Sequence, residues 1–210
     1  QDWGAALELL VRAAALDFEP AAEELTLLRG ADGRTDLHRW LTSPPPRPIV
    51  TDGPAILSIE QFLPAAVCDH LWRRAAARIS PALVYDPTTG QGRRDPVRSN
   101  DAARVELPQM DVLLALVRER IARVAGLPVA GLEWTQVLRY AAGQSFDWHV
   151  DWLDPANPAY AEDLRRRGQR IATCLVYLND DYEGGETAFE AGALRWRGRK
   201  GDALLWANTL

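Results

Sequence analysis

Apolar residues follow two rhythms along this chain, and the change between them organises it. From Trp3 to Leu28 they recur at helical spacing, with Ala5, Leu9 and Ala13 near one face, and the break at Phe18-Glu19-Pro20 separates two short helices. Pro44, Pro45, Pro46, Pro48 and Pro54 then deny residues 42–54 helical geometry and backbone donors, which predicts an extended linker. Ile56 to Phe62 reads as a strand and turn, Pro64 to Ile79 as an amphipathic helix, Arg93 to Ala102 as a polar loop and Met110 to Ala125 as a second amphipathic helix. From Trp134 the rhythm shortens to alternating or continuous apolar runs: Thr135–Tyr140, Phe146–Val150, Ile171–Leu178, Thr187–Phe189, Leu194–Trp196 and Ala203–Ala207. Gly-containing turns at 141–144, 184–185 and 201–202 predict antiparallel pairing. A polar insertion at 155–168, with a short helix at Tyr160 to Arg166, interrupts the strands where a lid or binding loop commonly sits.

These elements predict an α+β protein with a mainly β core. Residues 1–41 form a helical hairpin, 42–54 a linker and 55–210 the main domain. The hairpin is either a plain one packed on that domain or one unit of a tetratricopeptide-like array; a single unit cannot show the period.

Composition narrows the function. With 210 residues, 47% hydrophobic and 25% charged, the chain is an ordinary globular one, and a formal charge of −5 argues against general binding of nucleic acid or an anionic membrane. Arg93-Arg94, Arg165-Arg166-Arg167 and Arg199-Lys200 are read as solvated faces. Cys68 and Cys174 form no CxxC pair, so buried free thiols are expected. With no apolar run of membrane-spanning length and no leader pattern at Gln1, a cytoplasmic protein is expected, and the missing initiator Met suggests a fragment or a processed chain.

One triplet carries chemistry. His149-Val150-Asp151 puts an imidazole and a carboxylate two positions apart, which on a strand places both on one face and within reach of one ion. With a second histidine from elsewhere, such a pair makes the facial triad of non-haem Fe(II) oxygenases. By itself an HxD triplet is more often a surface pair or a satisfied core histidine, so its surroundings decide.

Those surroundings, "VLRYAAGQSFDWHVD" (137–151), "RIATCLVYLND" (170–180), "GGETAF" (184–189) and "GDALLWAN" (201–208), resemble the prolyl 4-hydroxylase branch of the Fe(II)/2-oxoglutarate oxygenases. More loosely, the resemblance extends back through "PAILSIEQFLPAAVCDHL" (54–71) and "RSN" (98–100), covering roughly residues 48 to 210. It implies a double-stranded β-helix (jelly roll) with supporting helices, and His149 and Asp151 as metal ligands and catalytic residues. Fe(II) and 2-oxoglutarate would be the cofactors, and O2 the co-substrate. Tyr140 and Tyr177 match tyrosines that contact 2-oxoglutarate in relatives; Thr173, on the strand face of Tyr177, is a second candidate hydroxyl, and Thr187 faces the same pocket. Arg98 in "RSN" is a substrate-side candidate. Trp148 and Trp152 flank the HxD pair, where packing and a place in the substrate groove both stay open; Trp152 is kept as the second substrate-side candidate.

The family places a distal histidine, then a Lys or Arg pairing with the far carboxylate of 2-oxoglutarate, shortly after the "GDALL" strand. Neither precedes Leu210, so both are expected beyond it; His38 and His70 lie on helical segments and are read as surface or structural residues. The resemblance implies hydroxylation of a C–H bond, foremost of a peptidyl proline, with succinate and CO2 released. A free amino acid or small metabolite as substrate, or a catalytically silent β-helix binding module, are the alternatives. Oligomeric state is not readable.

Overall fold

Short acidic side chains set where several helices begin. Asp2 Oδ1 accepts the N–H of Ala5 at 3.0 Å, Asp36 that of Arg39 at 3.2 Å and Asp111 that of Leu114 at 2.7 Å, each closing an open helix N-terminus. The helices are α1 (Trp3–Ala15), α2 (Glu19–Leu28), α3 (Leu37–Leu41), α4 (Ala65–Ala76), α5 (Val112–Ala125) and α6 (Ala161–Arg167). The computed structural model describes residues 2–30, 32–51, 53–86, 91–190 and 193–209. Among the described residues no helix is long and apolar enough to cross a membrane.

The chain divides into two compact units. The first comprises Gln1–Pro45 and Glu106–Glu133, so it joins α1, α2 and α3 to α5. Its interior is built from Leu10, Ala21, Leu25, Leu28 and Trp40 with Leu113, Leu114, Leu116 and Val117. Two buried polar links tie it together: Trp40 Nε1 donates to the Leu28 carbonyl at 3.0 Å, and the buried Glu24 carboxylate accepts the Leu113 N–H at 3.0 Å, at the positive end of the α5 dipole. The division therefore differs from the single cut expected at 42–54, because the apolar face of α5 has its partners on the N-terminal helices. A sequence pattern shows that a helix has such a face, not which neighbour covers it.

The second unit, Pro46–Val105 with Trp134–Leu210, holds the strands. These are β1 (Arg47–Ile49), β2 (Ile56–Ile59), β3 (Ser80–Pro81), β4 (Val84–Asp86), β5 (Gln91–Arg93), β6 (Asp101–Arg104), β7 (Gln136–Arg139), β8 (Ala172–Val176), β9 (Thr187–Phe189), β10 (Leu194–Trp196) and β11 (Ala203–Ala207). The main sheet runs β1-β2-β11-β8, a three-stranded sheet runs β3-β6-β7, and β4-β5 and β9-β10 form two-stranded pairs, all antiparallel. Two expectations are corrected here. The proline-rich segment contributes β1, with Pro48 opposite Leu57; it sits at the sheet edge, where a strand tolerates the missing N–H. The polar loop expected at 93–102 already contains the start of β6.

Ala75, Ala103 and Val137 form a buried cluster under the β6-β7 pair, with Ile79 and Leu178 against it. Facing the main sheet is the β9-β10 hairpin: Phe189 meets Trp206 edge-on, with ring centroids 5.3 Å apart. Gly201, entering β11, is the tight crossing point. Its N–H donates to the Tyr177 carbonyl at 2.8 Å, its own carbonyl accepts the Leu63 N–H at 2.9 Å, and it adopts φ +90°. A Cβ there would collide with the Leu63 carbonyl oxygen. Gly201→Ala is therefore expected to cost about 2–3 kcal/mol through left-handed strain and the clash. Urea denaturation measures this, and an unchanged midpoint would contradict it.

Candidate metal centre

The His149-Val150-Asp151 segment is not a strand but irregular chain with bends at 148 and 151: after an isolated bridge between Phe146 and Arg98, nothing pairs with 148–151 among the described residues. The strand expected over Phe146–Val150 is thereby corrected. The reason is local, since the Asp147 carbonyl is taken at 2.7 Å by Nδ1 of His149 rather than by a neighbouring strand. Asp147 is itself held, its N–H donating to the Val97 carbonyl at 2.8 Å. With Nδ1 donating to the Asp147 carbonyl, Nε2 is the nitrogen left to serve a ligand, and it lies 3.5 Å from Asp151 Oδ1. The i, i+2 spacing thus brings the two donors together without a ladder.

The carboxylate has its own support. Thr173 Oγ1, on β8, donates to Asp151 Oδ2 at 2.7 Å, and Asn208 Nδ2 donates to Thr173 Oγ1 at 2.9 Å. Asn208 is placed by the register of β11 on β8, its N–H continuing that ladder to the Ile171 carbonyl at 2.9 Å. Oδ2 is therefore occupied and Oδ1 faces the imidazole. The charges follow: contact with Asp151 raises the His149 pKa, while burial pushes Asp151 up but is outweighed by its bonds to His149 and Thr173, leaving it below the usual carboxylate value.

A ring stack covers the other side of the imidazole. Phe146 lies on His149 with centroids 3.6 Å apart and planes 12° from parallel, and the Arg98 guanidinium sits 4.7 Å over Phe146. The buried Asn100 holds Arg98 through Nε at 3.0 Å. Burial lowers the Arg98 pKa, opposed by the nearby Tyr140 and Asp151. Arg98, Ser99, Asn100 and Asp101 also line a cavity of about 410 Å³ shared with Pro81 and Gln144.

A second group of hydroxyls lies where the hairpin meets the main sheet. The Tyr177 hydroxyl and Thr187 Oγ1 are 2.7 Å apart. Burial pushes the Tyr177 pKa up to about 12, so the phenol keeps its proton as a hydrogen-bond donor. Its ring packs on Gly198, where no Cβ would fit.

The sequence-derived candidates thus fall into two groups. His149, Asp151 and Thr173 meet, with Arg98 and Tyr140 nearby, while Tyr177 and Thr187 meet separately. Thr173, expected beside Tyr177, instead serves Asp151, because its register opposite Trp206 puts it at the Asn208 end of β8. Tyr140 is 46% exposed and has Arg98 as its charged neighbour. Trp152 is half-buried at the start of the insertion, and Trp148 is exposed. His70 is buried in α4 and His38 exposed on α3; among the described residues no cluster of three His, Cys, Asp or Glu forms. Phe146, Asn100, Asn208 and Gly198 were missed. Strand alternation would have put Phe146 opposite His149, and the others depend on register or turn geometry.

One nitrogen and one carboxylate oxygen converging on a common point, each oriented by a second hydrogen bond, fit two positions of a non-haem iron site.

Known proteins place this geometry. The family model of the 2OG-Fe(II) oxygenase superfamily matches residues 135–210, the stretch carrying the HxD pair, both hydroxyls and β11. Prolyl 4-hydroxylase 1 of Arabidopsis thaliana is 34% identical over 142 residues, covering 67% of this chain and 48% of the relative. The prolyl 4-hydroxylase subunit alpha-1 of Rattus norvegicus is 29% identical over 202 residues, 96% of this chain and 37% of the relative. The chain thus spans about half or less of the length of these relatives. A viral collagen prolyl hydroxylase from Paramecium bursaria Chlorella virus-1, solved as its 2OG complex, shares the fold with a TM-score of 0.54 at 23% identity, covering 76% of this chain and 81% of that one. Residues 135–210 thus belong to the 2OG-Fe(II) oxygenase superfamily, and the chain is similar in sequence to prolyl 4-hydroxylases.

Proposed function

We propose that the protein is an Fe(II)- and 2-oxoglutarate-dependent dioxygenase that hydroxylates a peptidyl proline. The observation that carries this reading is the convergence of His149 Nε2 and Asp151 Oδ1, each fixed from behind, inside a domain of this family. The main sheet and the β9-β10 hairpin are then the two faces of a double-stranded β-helix.

Iron with 2-oxoglutarate would activate O2 so that one oxygen atom enters a C–H bond as hydroxyl and the other enters succinate, with CO2 released. The chain's contribution is placement. His149 and Asp151 would hold the ion; the Asp147 carbonyl and the Thr173 hydroxyl fix the imidazole and the carboxylate for that role. Tyr177 and Thr187 offer hydroxyl donors to the far carboxylate of 2-oxoglutarate. Arg98, which lines the cavity of about 410 Å³, would face a peptide bound there.

Anaerobic addition of Fe(II) and 2-oxoglutarate to the intact protein should produce the visible charge-transfer band of a chelated 2-oxo acid. Proline-containing peptides should then stimulate succinate release and gain 16 mass units. Succinate release driven by a small molecule but by no peptide would reassign the substrate, and absence of the band would sink the reading.

A further inference from the structure

The indole N–H of Trp196 is a buried donor with no partner among the described residues. Such a group is costly to leave unpaired, so its presence asks what it would bind. Its place in the fold answers. Trp196 on β10 is the direct cross-strand partner of Thr187 on β9, so the two side chains leave the hairpin on the same face. On that face Thr187 meets the Tyr177 hydroxyl at 2.7 Å, and Phe189 meets Trp206 of the main sheet. Two residues beyond Trp196, Gly198 lies against the Tyr177 ring. The hairpin face thus presents an indole N–H and a threonine hydroxyl beside a phenol that burial keeps protonated. One unsatisfied buried donor on the same hairpin face as a paired threonine and tyrosine hydroxyl points to an acceptor site for an anionic oxygen.

We infer that Trp196 is a specificity-determining residue whose Nε1–H binds the far carboxylate of the 2-oxo acid, alongside Tyr177 and Thr187. This rests on the co-substrate reading above and adds to it a discrimination. The near end of any 2-oxo acid chelates the metal equally well, but only a dicarboxylic one carries the oxygen that satisfies the indole. A monocarboxylic acid of the same length would leave it buried and unpaired.

The test uses Trp196→Phe, which keeps an aromatic ring and removes the donor. The intact protein with Fe(II) is titrated anaerobically with 2-oxoglutarate and with 2-oxopentanoate, which has the same five carbons and no far carboxylate. The variant is expected to need about tenfold more 2-oxoglutarate for half-maximal band intensity, the loss of one charge-assisted hydrogen bond, and the same concentration of 2-oxopentanoate. In 15N-labelled wild type, the indole resonance missing from the variant should shift with 2-oxoglutarate and not with 2-oxopentanoate. An unchanged 2-oxoglutarate midpoint, or an equal loss for both acids, overturns the assignment of Trp196 while leaving the co-substrate reading intact. If wild type gives no band with 2-oxoglutarate, the co-substrate reading itself falls and this inference with it.

Discussion

Substituting His149 by alanine is expected to weaken Fe(II) binding by more than about a hundredfold and to abolish turnover, since changes to groups that merely orient a ligand already cost 10- to 100-fold. The expectation is specific to this site because the substitution empties both ends of a connected arrangement. It removes Nε2, 3.5 Å from Asp151 Oδ1, and it removes the ring on which Phe146 stacks at 3.6 Å. Asp151 keeps its bond from Thr173, so the carboxylate should stay in place and the overall fold should persist. Iron titration under anaerobic conditions, with circular dichroism as the control for folding, separates the two effects. A folded variant that binds iron as wild type does would exclude His149 as a ligand.

Gly198→Ala is expected to produce the second largest effect, although glycine has no side chain to contribute. A Cβ at this position would overlap the Cδ2 edge of the Tyr177 ring, so the ring must move or the β10–β11 connection must shift. Either response breaks the 2.7 Å contact between the Tyr177 hydroxyl and Thr187. The overpacking should cost about 1–3 kcal/mol of stability. Half-saturation by 2-oxoglutarate should require at least about tenfold more, because the displaced phenol and its threonine partner no longer present donors together. Tyr177→Phe is the matching control: it deletes the hydroxyl and keeps the ring, so it should lose affinity with a smaller change in the urea midpoint. Unaltered co-substrate affinity in Gly198→Ala would show that the phenol does not serve the co-substrate.

These two residues mark what a single sequence can and cannot reveal. His149 and Asp151 were legible because their relation is local: a separation of two positions keeps them within reach of each other whether or not a strand forms. Thr187 opposite Trp196 was not legible: the sequence placed a turn at Gly184-Gly185, ahead of Thr187, whereas β9 pairs with β10, the strand that follows it, and that pairing and its register came only with the fold. Asn208 shows the limit. Its amide reaches Thr173 because β11 pairs antiparallel to β8 with Trp206 opposite Thr173, a relation across more than thirty residues that no local pattern encodes. The grouping of α5 with the N-terminal helices is of the same kind, resting on a bond between Glu24 and Leu113. Proline misled for another reason, because a residue that denies a donor is excluded from a central strand but not from an edge.

The carbonyl of Asp147 that holds His149 Nδ1 belongs to the main chain. Every amino acid brings that oxygen to position 147, so the aim of the imidazole is insulated from substitution there. A substitution at 147 would give up the bond its Oδ1 accepts from the Trp148 N–H at 2.8 Å but would keep the carbonyl that aims the ligand two residues on.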